Sequence, residues 1–167
     1  MKKIFITTIL GNVTPGLLKA LAKTTRAEGG EWVSNRVIKL DDRFAALMKV
    51  SVDAENEVKL KAALEAEFDQ LDFRYDDATE VNAEPVKTIE LTFDCNDRPG
   101  LTRDIDDVFA NLELVVDNME VNRYQVASIG STVFSSKFSV ALPENISSES
   151  VVELLEGIGS DVRVHVA

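Results

Sequence analysis

Ile89, Leu91, Phe93 and Cys95 alternate with Glu90, Thr92 and Asp94, the period-two pattern of a strand that buries one face. The period then changes. Leu101, Ile105, Val108, Phe109 and Leu112 recur at helical spacing as one apolar stripe, while Arg103, Asp104, Asp106 and Asp107 fill the outward side. Leu114 to Arg123 reads as a second strand, Tyr124 to Gly130 as a connection, and Ser131 to Leu142 as a third strand with Phe134, Ser136, Phe138 and Val140 on one face. Pro143 ends that hairpin, Ser147 and Ser148 offer helix caps, and Val151, Leu154, Leu155 and Ile158 form a short stripe that stops at Gly157 and Gly159. Val162, Val164 and Val166 mark a closing strand. The order is βαββαβ.

The preceding half repeats it. Lys3 to Leu10 predicts a strand, Pro15 to Glu28 a helix, Glu31 to Leu40 and Phe44 to Asp53 a strand pair around Asp41-Asp42, Glu57 to Phe68 a helix, and Phe73 to Asp76 a closing strand. The anchor of the repeat is Thr14-Pro15-Gly16-Leu17 against Arg98-Pro99-Gly100-Leu101, each following a strand pattern and opening a helix pattern. Pro15 and Pro99 lie 84 residues apart in a chain of 167, so the duplication spans nearly everything. Asp77 to Val86 is polar, follows neither period and contains Pro85. The expected organisation is a domain at 1–78, a linker at 79–87 and a domain at 88–167.

A βαββαβ unit buries both helix stripes against the same face of a four-stranded antiparallel sheet, because its crossovers are right-handed. The expected class is α+β, two ferredoxin-like sandwiches with helices on one face. Open sheet edges invite pairing, so a homo-oligomer is expected.

Composition narrows the function classes. Hydrophobic residues make up 45% of the chain, enough for proper cores. The net charge of −11 repels phosphate backbones, which excludes direct nucleic-acid binding. One Cys and one His assemble neither a disulfide nor a usual zinc site, and a reducing cytoplasm is the simplest compartment. Lys2-Lys3 before Ile4 to Leu10, with Ala20-Leu21-Ala22 beyond, imitates a secretory signal. Its apolar run is short, holds two threonines and recurs at Thr88 to Leu101, so it reads as structure and no membrane span is expected.

The chemistry sits at the two corners. Proline at the first helical position matches the helical φ and wastes no donor, and the following glycine removes a side chain that would block approach to the backbone. An open helix N-terminus seats a carboxylate. Asn96 and Asp97, just before, would meet an ammonium. Asp97 could equally cap the helix. The first corner has Asn12 in common, but Val13 and Thr14 in place of Asp97 and Arg98.

The run Asn96-Asp97-Arg98-Pro99-Gly100-Leu101, between a strand and an amphipathic helix in a repeat of this length, resembles the start of an ACT domain, and Asn12-Val13-Thr14-Pro15-Gly16-Leu17 resembles a degenerate second instance. A tandem of this size with no attached catalytic or DNA-binding domain is similar to the glycine cleavage system transcriptional repressors. The resemblance implies an amino-acid-responsive regulator without enzymatic activity or cofactor, which acts by contacting a DNA-binding activator protein, with glycine as effector. It further implies ligand contacts at Gly100 and Asp97, and at Gly16 and Val13 in the first copy. The site residues nominated are Asn96, Asp97, Arg98, Pro99, Gly100 and Leu101, with Asn12, Gly16 and Leu17 in the first copy and Leu114 or Val115 as wall residues.

Other constellations are weaker. Asp104, Asp106 and Asp107 read as a solvated helix start rather than a metal site. His165 lies between Val164 and Val166, on the polar face and without catalytic partners. Cys95 falls on the apolar face as a small hydrophobe. Trp32 reads as a core filler or an interface anchor. An acylphosphatase-like hydrolase would enlist Arg98 and Asn96 but lacks a Gly-rich cradle, and a passive adaptor without a metabolite remains the other alternative.

Overall fold

The computed structural model describes residues 1–79 and 86–167. The chain divides into two compact units, Met1–Asn82 and Ala83–Ala167. The linker expected at 79–87 falls mostly outside the described residues. At its margins, Asp77 pairs with Phe5 and Lys87 with Leu142.

The first unit runs β1 (Lys2–Asn12), α1 (Leu17–Ala27), β2 (Glu31–Leu40), β3 (Arg43–Asp53), a single 3₁₀ turn, α2 (Glu57–Glu67) and β4 (Asp72–Asp77). The second runs β5 (Lys87–Asn96), α3 (Leu101–Asn111), β6 (Val115–Val126), β7 (Ser131–Leu142), α4 (Ser148–Glu156) and β8 (Arg163–Val166). Each unit forms a four-stranded antiparallel sheet, ordered β2-β3-β1-β4 and β6-β7-β5-β8. This is the expected α+β class, two ferredoxin-like βαββαβ sandwiches.

Alternation decides the buried face. Phe44, Ala46, Met48, Val50 and Val52 of β3 are buried with Phe5 and Ile9 of β1, under Leu17 and Leu21 of α1 and Leu60 and Leu64 of α2. In the second unit Phe93 meets Phe134 edge-on at 6.0 Å, and Phe109 of α3 meets Phe138 at 5.2 Å. Ser136 is buried among these rings, and its hydroxyl is satisfied by donating to the Glu120 carbonyl at 2.9 Å. Ser147 caps α4 by accepting from the Ser150 amide, as the sequence suggests. The outermost strands β2 and β6 are mostly exposed because the helices cover the central strands.

Two expectations change. β6 continues to Val126 rather than ending at Arg123, because Tyr124, Gln125 and Val126 pair with Val133, Thr132 and Ser131. The prolines are not the first helical residues: α1 begins at Leu17 and α3 at Leu101, with Gly16 and Gly100 as caps. Pro15 and Gly16 occupy the centre of a turn closed by the Leu17 amide on the Thr14 carbonyl at 3.2 Å. Pro followed by a positive-φ Gly is the type II pattern.

Phe93 is fully buried at the centre of the second core, so Phe93→Ala is expected to lower unfolding stability by about 3–5 kcal/mol. Urea titration followed by circular dichroism measures it.

Candidate functional site

Gly100 has φ +87° and ψ 0°, and Gly16 has φ +76° and ψ 6°. A Cβ at either would meet no other atom within 4 Å. The glycines are therefore demanded by backbone conformation, not by crowding, and the space above each corner is open. No side chain caps α3. Asp97, weighed above as a possible cap, turns instead to Arg123 of β6, whose Nε donates to Asp97 Oδ2 at 3.2 Å.

Arg123 reaches the corner because the β6–β7 hairpin overhangs it. Asn96 is level with Val133, and the hairpin runs on to the Val126–Ser131 pair. The overhang also supplies the Thr132 carbonyl, which accepts from the Asp97 amide at 2.8 Å. Arg123 lies over the Phe134 ring, 5.1 Å from its centre. That arrangement shields the ring and steadies the guanidinium.

Arg98 donates to Asp104 Oδ2 at 2.8 Å and, more weakly, to the Ile158 carbonyl at 3.4 Å. The result is an open cleft of about 550 Å³ lined by Asp97, Arg98, Pro99, Gly100, Leu101, Thr102, Arg103 and Arg123. Residues 86–167 carry six basic and fourteen acidic side chains, and three of those six line this one cleft. Each of the three is paired with a carboxylate, Arg98 with Asp104, Arg103 with Asp107 at 4.0 Å and Arg123 with Asp97.

The structure thus brings Asp97 to Leu101 together. Leu101 itself is buried in the core, so only its backbone is available there. Asn96 engages through its backbone amide, which donates to Asp161 Oδ2 at 2.9 Å. Leu114 and Val115 are misplaced by the sequence reading. Val115 pairs with Ala141, at the end of the sheet away from Asn96, and Leu114 is buried. β6 runs parallel to β5, so its later residues rather than its first ones lie at the corner, and Arg123 is the β6 residue that lines the cleft. Arg103, an outward helix position in the sequence pattern, also lines the cleft, as does Thr102, which carries no signal in the sequence.

The first corner is organised differently. Asn12 Oδ1 accepts from Arg43 Nη1 at 3.1 Å, the Val13 amide donates to the Asp42 carbonyl, and the Leu17 amide is consumed by the turn. β2 and β3 close at Asp41-Asp42 without an overhang. Lys39, paired with Phe44 as Arg123 is with Phe134, holds the register position of Arg123, and Val13 stands where the second copy has Asp97.

Asp104 is paired with Arg98, and no group of three or more potential metal-ligating side chains occurs among the described residues. His165 pairs with Thr92 in the sheet and is exposed. Trp32 packs against the first core and donates from Nε1 to Thr25 Oγ1 at 3.2 Å, which makes it a filler. Cys95 is buried, and its thiol is pushed up to about 11 by burial first and then by Asp161.

Residues 3–76 match the family model of the ACT domain. The match covers the first unit and falls short of half of the chain. The second unit has the same βαββαβ order and strand arrangement, so the chain carries the ACT fold twice. The match falls on the copy whose corner motif looked degenerate. No curated protein matches the sequence. Among solved structures, a protein from Galdieria sulphuraria described as unknown superposes with a TM-score of 0.84 at 20% identity, covering 99% of this chain and 98% of that one. A protein proposed to be a glycine cleavage system transcriptional repressor superposes with a TM-score of 0.75 at 17% identity, covering 100% and 97%. Both likenesses are of fold. No helix among the described residues is long and apolar enough to cross a membrane.

Gly100→Ala is expected to cost about 1–2 kcal/mol, because the added Cβ has room but the left-handed conformation disfavours it. Urea titration checks this, and a loss near zero would mean the turn relaxes freely. Cys95 is expected to react with iodoacetamide at pH 8 about a hundredfold more slowly than an ordinary thiol, since its thiolate is correspondingly scarce. The rate should still be climbing above pH 10.

Proposed function

We propose that this chain is a non-enzymatic, amino-acid-responsive regulator that binds its effector at the α3 corner of the second ACT unit. The observation that carries this reading is the pairing of opposite charges in one open cleft. Arg98, Arg103 and Arg123, with the uncapped helix start, suit an α-carboxylate, and Asp97 suits an α-ammonium. Both ends of a zwitterion are met within the span of one turn. Asn96, Pro99, Gly100 and Leu101 shape the corner. Asn12, Gly16 and Leu17 form the weaker counterpart, which has Val13 and Thr14 in place of the charged Asp97 and Arg98.

The resemblance nominates glycine, while the corner alone addresses only the groups that all amino acids share. A transcriptional repressor of the glycine cleavage type, acting in the cytoplasm through contact with a DNA-binding activator, fits the whole-chain fold likeness and the charge of −11. Self-association through the open edges β2 and β6 would give the regulator its second arrangement, because effector control requires two states that bind the effector unequally.

Calorimetric titration of the full chain with glycine and a panel of amino acids tests this. Saturable binding is expected, and Arg123→Gln and Asp97→Asn should each weaken it by about tenfold or more, as the loss of a charge-assisted hydrogen bond implies. Unchanged affinity in both variants would remove the site from the corner. Absence of binding by every amino acid would leave a passive adaptor.

A further inference from the structure

We infer that the effector carries a large apolar side chain, which lies in the groove between α3 and β6 while its α-carbon groups occupy the corner. This rests on the corner being the amino-acid site.

The groove holds about 540 Å³ and is lined by Ile105 and Phe109 of α3, Val116, Met119 and Val121 of β6, and Phe138. It exists because α3 and α4 cover the central strands and leave the inward face of the edge strand bare. Met119 is half exposed there, although it points to the same side as buried Phe138, its cross-strand partner.

Two observations assign the occupant. Thr102 and Arg103 line both the groove and the corner cleft, so one space leads into the other at the start of α3. Phe134 closes the groove's lining at that end and carries Arg123 on its ring, which joins the apolar floor directly to the cleft's cation. A ligand with its carboxylate at the cleft would thus lead its side chain onto hydrocarbon. The first unit lacks this arrangement. At the register positions of Val116 and Met119 it has Trp32, packed against its core, and Asn35, which is polar. Filled space and a polar side chain accompany the corner that lacks Asp97 and Arg98. An apolar lining accompanies the corner that has them.

The test titrates the full chain with glycine, alanine, leucine and phenylalanine, in the wild type, Met119→Glu and Val116→Trp. A buried methylene is worth about fourfold in affinity, so leucine should bind at least about tenfold tighter than alanine even in a groove open on one side. Met119→Glu, at an exposed position, should abolish that preference. Val116→Trp, which copies the first unit, should weaken phenylalanine more than alanine. The inference is overturned if the wild type holds glycine or alanine as tightly as leucine. It is also overturned if Met119→Glu keeps the preference, or if it instead changes the mass of the particle by light scattering, which would make the groove a seam between copies. Glycine binding that Arg123→Gln weakens, with no gain for leucine, would sink the groove and spare the corner. Failure of every amino acid to bind would sink both.

Discussion

The turn at Pro99-Gly100 must take the chain from a central strand into a helix whose first residue, Leu101, is already core. A left-handed backbone at Gly100 makes this reversal in two residues, and its φ of +87° lies where a side chain is disfavoured. Leu101, Ile105 and Phe109 then fall on the inward side, over Phe93, Phe134 and Phe138. A longer or looser turn would rotate the stripe and expose it. The same constraint acts at Gly16, where Leu17 and Leu21 follow. Because the cap is a glycine, the start of each helix carries no side-chain acceptor. The fold's tightest backbone requirement therefore also leaves both helix starts without a side-chain cap.

What surrounds those helix starts differs between the copies. Residues 1–79 hold twelve basic and thirteen acidic side chains, so the net charge of −11 resides mainly in the second half. Against that acidic background the three arginines at the α3 corner stand out, each beside a carboxylate, whereas the first corner pairs Asn12 with Arg43. Two units with one fold thus present different chemistry. The ACT family model matches residues 3–76, the copy with Val13 and Thr14 at its corner. A binding site depends on a few polar side chains, and these vary without disturbing the core.

Much was legible in the chain before folding. The alternation at Ile89 to Cys95 and the stripe at Leu101 to Leu112 correspond to β5 and α3, because one-sided burial leaves a period in any strand or amphipathic helix. The duplication, the strand order and the corner motif followed from the same pattern and from Pro-Gly chemistry. The overhang of the β6–β7 hairpin was not legible, since Tyr124, Gln125 and Val126 are exposed or half-buried edge residues with no periodic signature. The sequence pattern therefore ends at Arg123, three residues short of the strand.

The amino-acid sequence by itself determined two ferredoxin-like sandwiches and placed a Pro-Gly corner before the first helix of each, since local period and backbone preference are properties of neighbouring residues. Only the tertiary structure decided that Arg123, rather than Leu114 or Val115, stands against Asp97, and that an apolar groove opens beside it. Those relations depend on strand register and on how far two helices reach across four strands. They join residues 26 positions apart, and no local pattern records them.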